Sequence, residues 1–124
     1  MEKILVIDDD PDVISLMRML LHKKNYDVAS ASREAEVEQA IADFKPDIII
    51  LDVLLSGSDG RSICKKIKST ETSKNIPVIM FSAHPGAQKN IDEYGADEFI
   101  SKPFQSTALL ERIKFHLEKK KISN

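Results

Sequence analysis

The sequence has one cysteine, and Cys64 alone forms no internal disulfide, which fits a reducing compartment. No Cys and His stand at zinc-ligand spacing, and His22, His84 and His116 lie too far apart along the chain to suggest a metal cluster. Long apolar runs are missing as well. Ile4 to Ile7 and Ile48 to Leu51 are the longest sort present, far short of the roughly 20 residues that cross a bilayer. The N-terminus lacks the apolar core of a signal peptide, so a cytoplasmic location without membrane contact is expected. Basic charge is not in excess: 18 Lys and Arg against 20 Asp and Glu give a formal charge of −2, which argues against a nucleic-acid surface. No internal repeat, low-complexity tract or linker appears.

What is there suits one soluble globular domain over residues 1–124, with 42% hydrophobic and 31% charged residues. Lys3 to Asp8, Tyr26 to Ala31, Pro46 to Asp52, Ile76 to Ser82 and Asp97 to Ser101 read as five short strands rich in Ile, Val and Phe. Between them run segments of helical period. Leu16, Met17, Leu20 and Leu21 make one apolar stripe; Val37, Ala40, Ile41 and Phe44 make a second; Ile63, Cys64 and Ile67 a third. Leu109, Leu110, Ile113 and Leu117 mark a C-terminal helix, and Pro85 to Gly95 offers only Ala87, Ile91 and Tyr94 for the buried side of one more. Strict alternation of strand and helix implies an α/β three-layer sandwich with a parallel sheet covered on both faces.

In such a sheet the binding crevice lies beyond the carboxyl ends of the strands. Those ends carry the polar chemistry: Asp8, Asp9 and Asp10 after the first strand, Asp52 after the third, Ser82 and Ala83 after the fourth, Ser101 and Lys102 after the fifth. Asp10 before Pro11 reads as a helix N-cap with proline at the first helical position. Asp8, Asp9 and Asp52 remain. Two carboxylates about 4 Å apart repel by roughly 4 kcal/mol at an effective dielectric near 20, so three together call for cations. Mg²⁺, held by one or two carboxylates, waters and substrate phosphate oxygens, is the natural neutraliser. The charge of about −3 on these carboxylates is balanced by Mg²⁺ and Lys102 together. Such a site accepts a phosphoryl group.

"ILVIDDD", "IIILDVLLSGSDG", "VIMFSA" and "GADEFISKPF" resemble, in order and across the whole chain, the motifs of the response regulator receiver domain. The resemblance implies a flavodoxin-like fold with strand order 2-1-3-4-5 and five helices. It implies that Asp52 is the phosphoacceptor, taking its phosphoryl group from a sensor histidine kinase or a histidine phosphotransfer protein. Asp9 and Asp52 would ligate Mg²⁺ through side chains, Leu54 through its backbone carbonyl, and Asp8 through metal-bound water. Lys102 would contact the phosphoryl oxygens, Ser82 would donate its hydroxyl to them, and Phe99 would occupy the aromatic switch position. The family's Lys-Pro bond is usually cis, which Pro103 permits. Ser82 moving toward the new charge would open space for Phe99, a charge change biasing a bistable packing arrangement. The chain would then catalyse only its own phosphorylation and dephosphorylation.

Departures from the family pattern are Leu55 and Ser56, where methionine and proline are usual, and a short segment from Ser82 to Gly95 that leaves the fourth helix open. His84 lies where the family tunes phosphoryl lifetime. Cys64 reads as a small core residue, and Lys119, Lys120 and Lys121 as cations suited to a helix C-terminus.

Four rivals stand beside this reading. A flavin or nucleotide binder would place Gly, Ser or Thr where Asp8 to Asp10 stand. An aspartate-nucleophile phosphatase would have a second Asp at Leu54. A non-phosphorylated interaction module of this fold would often lose an acidic, acceptor or lysine position, and all are kept. The chain would otherwise be the receiver portion of a longer regulator or hybrid kinase.

Overall fold

The computed structural model describes residues 1–123 apart from 56, 84, 85, 87, 88, 90 and 104, with the side chains of 91 and 120–123 also outside the description. Five strands form one parallel sheet: β1 (Lys3–Ile7), β2 (Asp27–Ala31), β3 (Ile48–Asp52), β4 (Val78–Ser82) and β5 (Glu98–Ser101). Their spatial order is 2-1-3-4-5, as the family resemblance implies. A separate antiparallel ladder pairs Leu54–Leu55 with Ser58–Asp59 just after β3.

The unbroken apolar runs follow from burial on both faces of the sheet. In β1, Leu5 and Ile7 enter one core while Ile4 and Val6 enter the other; β3 divides Ile49 and Leu51 from Ile48 and Ile50, and β4 divides Val78 and Met80 from Ile79 and Phe81. Helices α2 (Glu34–Phe44) and α3 (Gly60–Ser69) cover the first face through Val37, Ile63, Cys64 and Ile67. Helices α1 (Pro11–Lys23) and α4 (Ser106–Ser123) cover the second through Met17, Leu21, Leu109, Ile113 and Leu117. Cys64 is buried in the first core, and burial pushes its thiol up to about 11, so it is an inert core residue.

Two expectations are corrected. Leu16 is 45% exposed rather than part of the α1 stripe, which runs instead through Val13, Ile14, Met17 and Leu21. Each residue advances about 100° around a helix, so Leu16 cannot share the line of Met17 and Leu21. Among the described residues there are also four α-helices rather than five; in place of the fifth stands a single 3₁₀ turn, Ile91–Tyr94. Asp92 and Glu93 in that turn are exposed, and Tyr94 is its one described side chain packed on the core. Among the described residues, no helix is long and apolar enough to cross a membrane.

The C-terminal helix is tied to the edge strand. Glu98 on β5 accepts from Arg112 Nε at 2.6 Å and lies 2.7 Å from His116 Nε2. Burial alone would raise the Glu98 carboxyl, but the hydrogen bonds from Arg112 and His116 outweigh it and hold the group below the usual range.

Candidate functional site

The register of the sheet builds the site. Ile4 pairs with Ile48 and Ile7 with Leu51, so one further step past the end of β1 sets Asp8 beside Asp52. Both continue the even-numbered rows of their strands, which keeps the two carboxyls on one side. Asp9 follows in the turn to α1, which Asp10 caps by accepting from the Asp12 N–H at 2.9 Å. Asp8, Asp9 and Asp52 each offer a carboxylate oxygen, all within 4.8 Å of one another.

Asp8 is buried, with Oδ1 accepting from the Asp10 N–H at 2.9 Å and Oδ2 from Lys102 Nζ at 3.3 Å. Asp52 takes the Leu54 N–H on Oδ1 at 3.2 Å and has Lys102 Nζ 3.8 Å from Oδ2. Burial raises the Asp52 carboxyl from 3.8 to about 6, and neighbouring Asp8 adds to it; Lys102 and the Leu54 N–H pull the other way, and Asp9 pushes up again. The carboxylate is thus held in a setting that resists its own charge. Oxygen donors from two strand ends, one of them exposed at Asp9, fit a small hard cation such as Mg²⁺.

The ammonium group of Lys102 has a third neighbour, the Phe81 ring, whose centroid is 4.4 Å away. The Lys102 N–H donates to the Ser82 carbonyl at 2.9 Å, and the Lys102-Pro103 peptide bond is cis. Ser82 is buried at the end of β4. Phe99, opposite Met80 on β5, is partly buried against the core shared with α2 and α3, on the other face of the sheet from the rows that Asp8 and Asp52 continue. Leu54 turns its side chain outward, 50% exposed, while its backbone N–H serves Asp52. Ser56 and His84, singled out in the sequence, lie outside the described residues.

Sequence reasoning missed three contributors. Gly60 begins α3 against the backbone of Asp52 and Val53: its N–H donates to the Val53 carbonyl at 2.6 Å, and a Cβ there would overlap the Asp52 carbonyl. Its place after Asp59, in a turn-forming pair, was the one available signal. Asp59 caps α3, accepting from the Arg61 N–H at 2.9 Å and pairing with its guanidinium at 3.1 Å. Phe81 looked like any core aromatic. A cleft of about 1200 Å³ between α2 and α3, floored by Val37, Ile63 and Ile67, lies away from this chemistry.

The family pattern described as the response regulator receiver domain matches residues 4–114. Among curated proteins, the DNA-binding dual master transcriptional regulator RpaA of Synechocystis sp. is 34% identical over 116 residues, which are 92% of this chain and 48% of RpaA. The chain spans about half the length of the curated relatives it matches. The BeF3-activated N-terminal receiver domain of Klebsiella pneumoniae RstA superposes with a TM-score of 0.85 at 30% identity, covering 94% of this chain and 98% of that one. A CheY-like receiver domain protein from Methanospirillum hungatei shares the fold, with a TM-score of 0.92 at 23% identity over 100% of this chain and 99% of that one. With the sheet order, the acidic strand ends and the lysine all in the expected places, the chain belongs to the response regulator receiver domain family, the phosphoacceptor modules of two-component signal transduction.

Proposed function

We propose that Asp52 is the phosphoacceptor, charged by a sensor histidine kinase or a histidine phosphotransfer protein in a Mg²⁺-dependent reaction. The observation that carries this reading is the meeting of Asp8, Asp9 and Asp52 within 4.8 Å, with Lys102 between two of them. Asp9 and Asp52 would hold the metal with side-chain oxygens, Leu54 with its backbone carbonyl, and Asp8 through bound water. When bound, Mg²⁺ neutralises charge on the transferring oxygens and orients them.

Asp52 then needs only ionisation and an in-line approach. One of its oxygens forms the new O–P bond as the donor's P–N bond breaks, and the departing imidazole nitrogen keeps the electron pair and takes a proton from solvent. Lys102 stabilises the negative oxygens during transfer. Phosphorylation brings the acceptor side chain to about −2, which draws the Ser82 hydroxyl inward and frees room for Phe99. The chain acts on its own Asp52 and turns over no other substrate. Its setting is the cytoplasm, where a free Cys64 stays reduced and Mg²⁺ is plentiful. Output passes through protein contacts, without nucleic acid or membrane binding by this domain.

Acetyl phosphate with Mg²⁺ should add one phosphoryl group, read by intact mass, and chelation should prevent it. Asp52→Asn should take none. Equal labelling of that variant would refute the assignment, and a wild type that stays unlabelled would favour an interaction module.

A further inference from the structure

We propose that the Phe81 ring is a positioning element for Lys102, fixing its ammonium group at the mouth of the acidic site. The proposal rests on the phosphoacceptor reading of Asp52 and deepens it.

Phe81 pairs with Asp52 across the β3–β4 ladder, so one register sets both the nucleophile and the ring. The ring is 1% exposed and packed in the core shared with Met17, Leu109 and Ile113. Lys102 Nζ lies 4.4 Å from its centroid, within range of a cation–π attraction. The same nitrogen is 3.3 Å from Asp8 and 3.8 Å from Asp52, so it has one aromatic and two carboxylate anchors.

These anchors differ in what happens to them during function. A divalent cation among the carboxylates competes with Lys102 for Asp8, and phosphorylation consumes an oxygen of Asp52. The ring is altered by neither event. A lysine has a flexible four-carbon stem and three freely rotating donors, so without a third point its ammonium would be released toward solvent when the carboxylates are taken. Phe81 keeps it facing the space that the phosphoryl oxygens enter. The ring also shields one side of the ammonium from water, which strengthens its pull on those oxygens. Phe81 is a positioning residue: it acts through the lysine, whose ammonium lies over its ring.

An ordinary core role for Phe81 depends on ring volume, whereas this role depends on the electron density of the ring face. Replacing Phe81 with mono-, di- and trifluorinated phenylalanine changes the second with little change in the first. The rate of labelling by acetyl phosphate at saturating Mg²⁺ is expected to fall stepwise along the series, about fivefold in all. Phe81→Leu is expected at the bottom of that range. In parallel, the ε-methylene protons of Lys102 should resonate upfield in the wild type through the ring current and lose that shift in Phe81→Leu. A rate that stays flat across the fluorinated series, in a wild type that labels normally, overturns the proposal. A wild type that takes no phosphoryl group overturns the acceptor reading and this proposal with it.

Discussion

Asp8 and Asp52 face one another across the β1–β3 seam, and a single ammonium group, that of Lys102, reaches both, at 3.3 Å and 3.8 Å. One cation is thus shared by two buried carboxylates, with the Asp9 carboxylate beside them.

Burial of Asp52, with Asp8 beside it, sets a pH dependence of stability. The Asp52 carboxyl is raised from 3.8 to about 6 on folding, chiefly by burial, so its protonated form is the one the fold prefers. Its stabilising contribution is complete below pH 3.8 and is lost as pH rises through about 6. The difference corresponds to about 3 kcal/mol. Metal-free Asp52→Asn should therefore be more stable than wild type at pH 7.5, by about 1–3 kcal/mol in urea melts with chelator. The gap should close below pH 4 and on adding Mg²⁺ to the wild type. A less stable Asn variant at pH 7.5 would contradict the burial of this charge.

A divalent cation bound at the cluster would compete with Lys102 for Asp8. Lys102→Ala should bind Mg²⁺ at least as tightly as wild type, by calorimetry, while its labelling by acetyl phosphate slows by about tenfold or more. Weaker Mg²⁺ binding in that variant would show that the lysine supports the metal site rather than opposing it.

Gly60 is held to glycine by the Asp52 carbonyl, not by its own backbone angles. Gly60→Ala should cost about 1–3 kcal/mol, the usual penalty of overpacking. Because relief requires the loop after Asp52 to move, labelling should slow as well, whereas Gly86→Ala, with open space around it, should leave both near wild type.

Glu98 joins β5 to α4 through Arg112 and His116. Its carboxyl is held low against burial, so its contribution is present above the ordinary carboxylate range and fades as pH falls through the lowered value. Glu98→Gln should cost about 1–2 kcal/mol at pH 7, an effect on the order of lost charge-assisted hydrogen bonds. Amide exchange in α4 should rise more than in α2, and a uniform rise would contradict the local tie.

Much of this was legible in the sequence where a residue's neighbours along the chain decide its place. Ile4 to Ile7 and Ile48 to Leu51 announced strands buried on both faces, and the strand order implied by the family resemblance set Asp8 beside Asp52. Leu16 misled because hydrophobicity marks a helix better than it marks which side is buried. The weakness of the segment from Pro85 to Gly95 was legible in its few apolar residues, whereas the 3₁₀ form of the turn at Ile91–Tyr94 was not. Glu98 with His116, 18 positions apart, and Phe81 with Lys102 are pairings across separate elements, and no local period records them.

The most direct test of the convergence of charge is a Mg²⁺ titration of wild type and Asp9→Ala by calorimetry at pH 7.5. Asp9 offers the exposed side-chain oxygen of the cluster, and its removal should weaken Mg²⁺ about tenfold or more. Equal affinities in the two proteins would mean that the three carboxylates do not form one metal site.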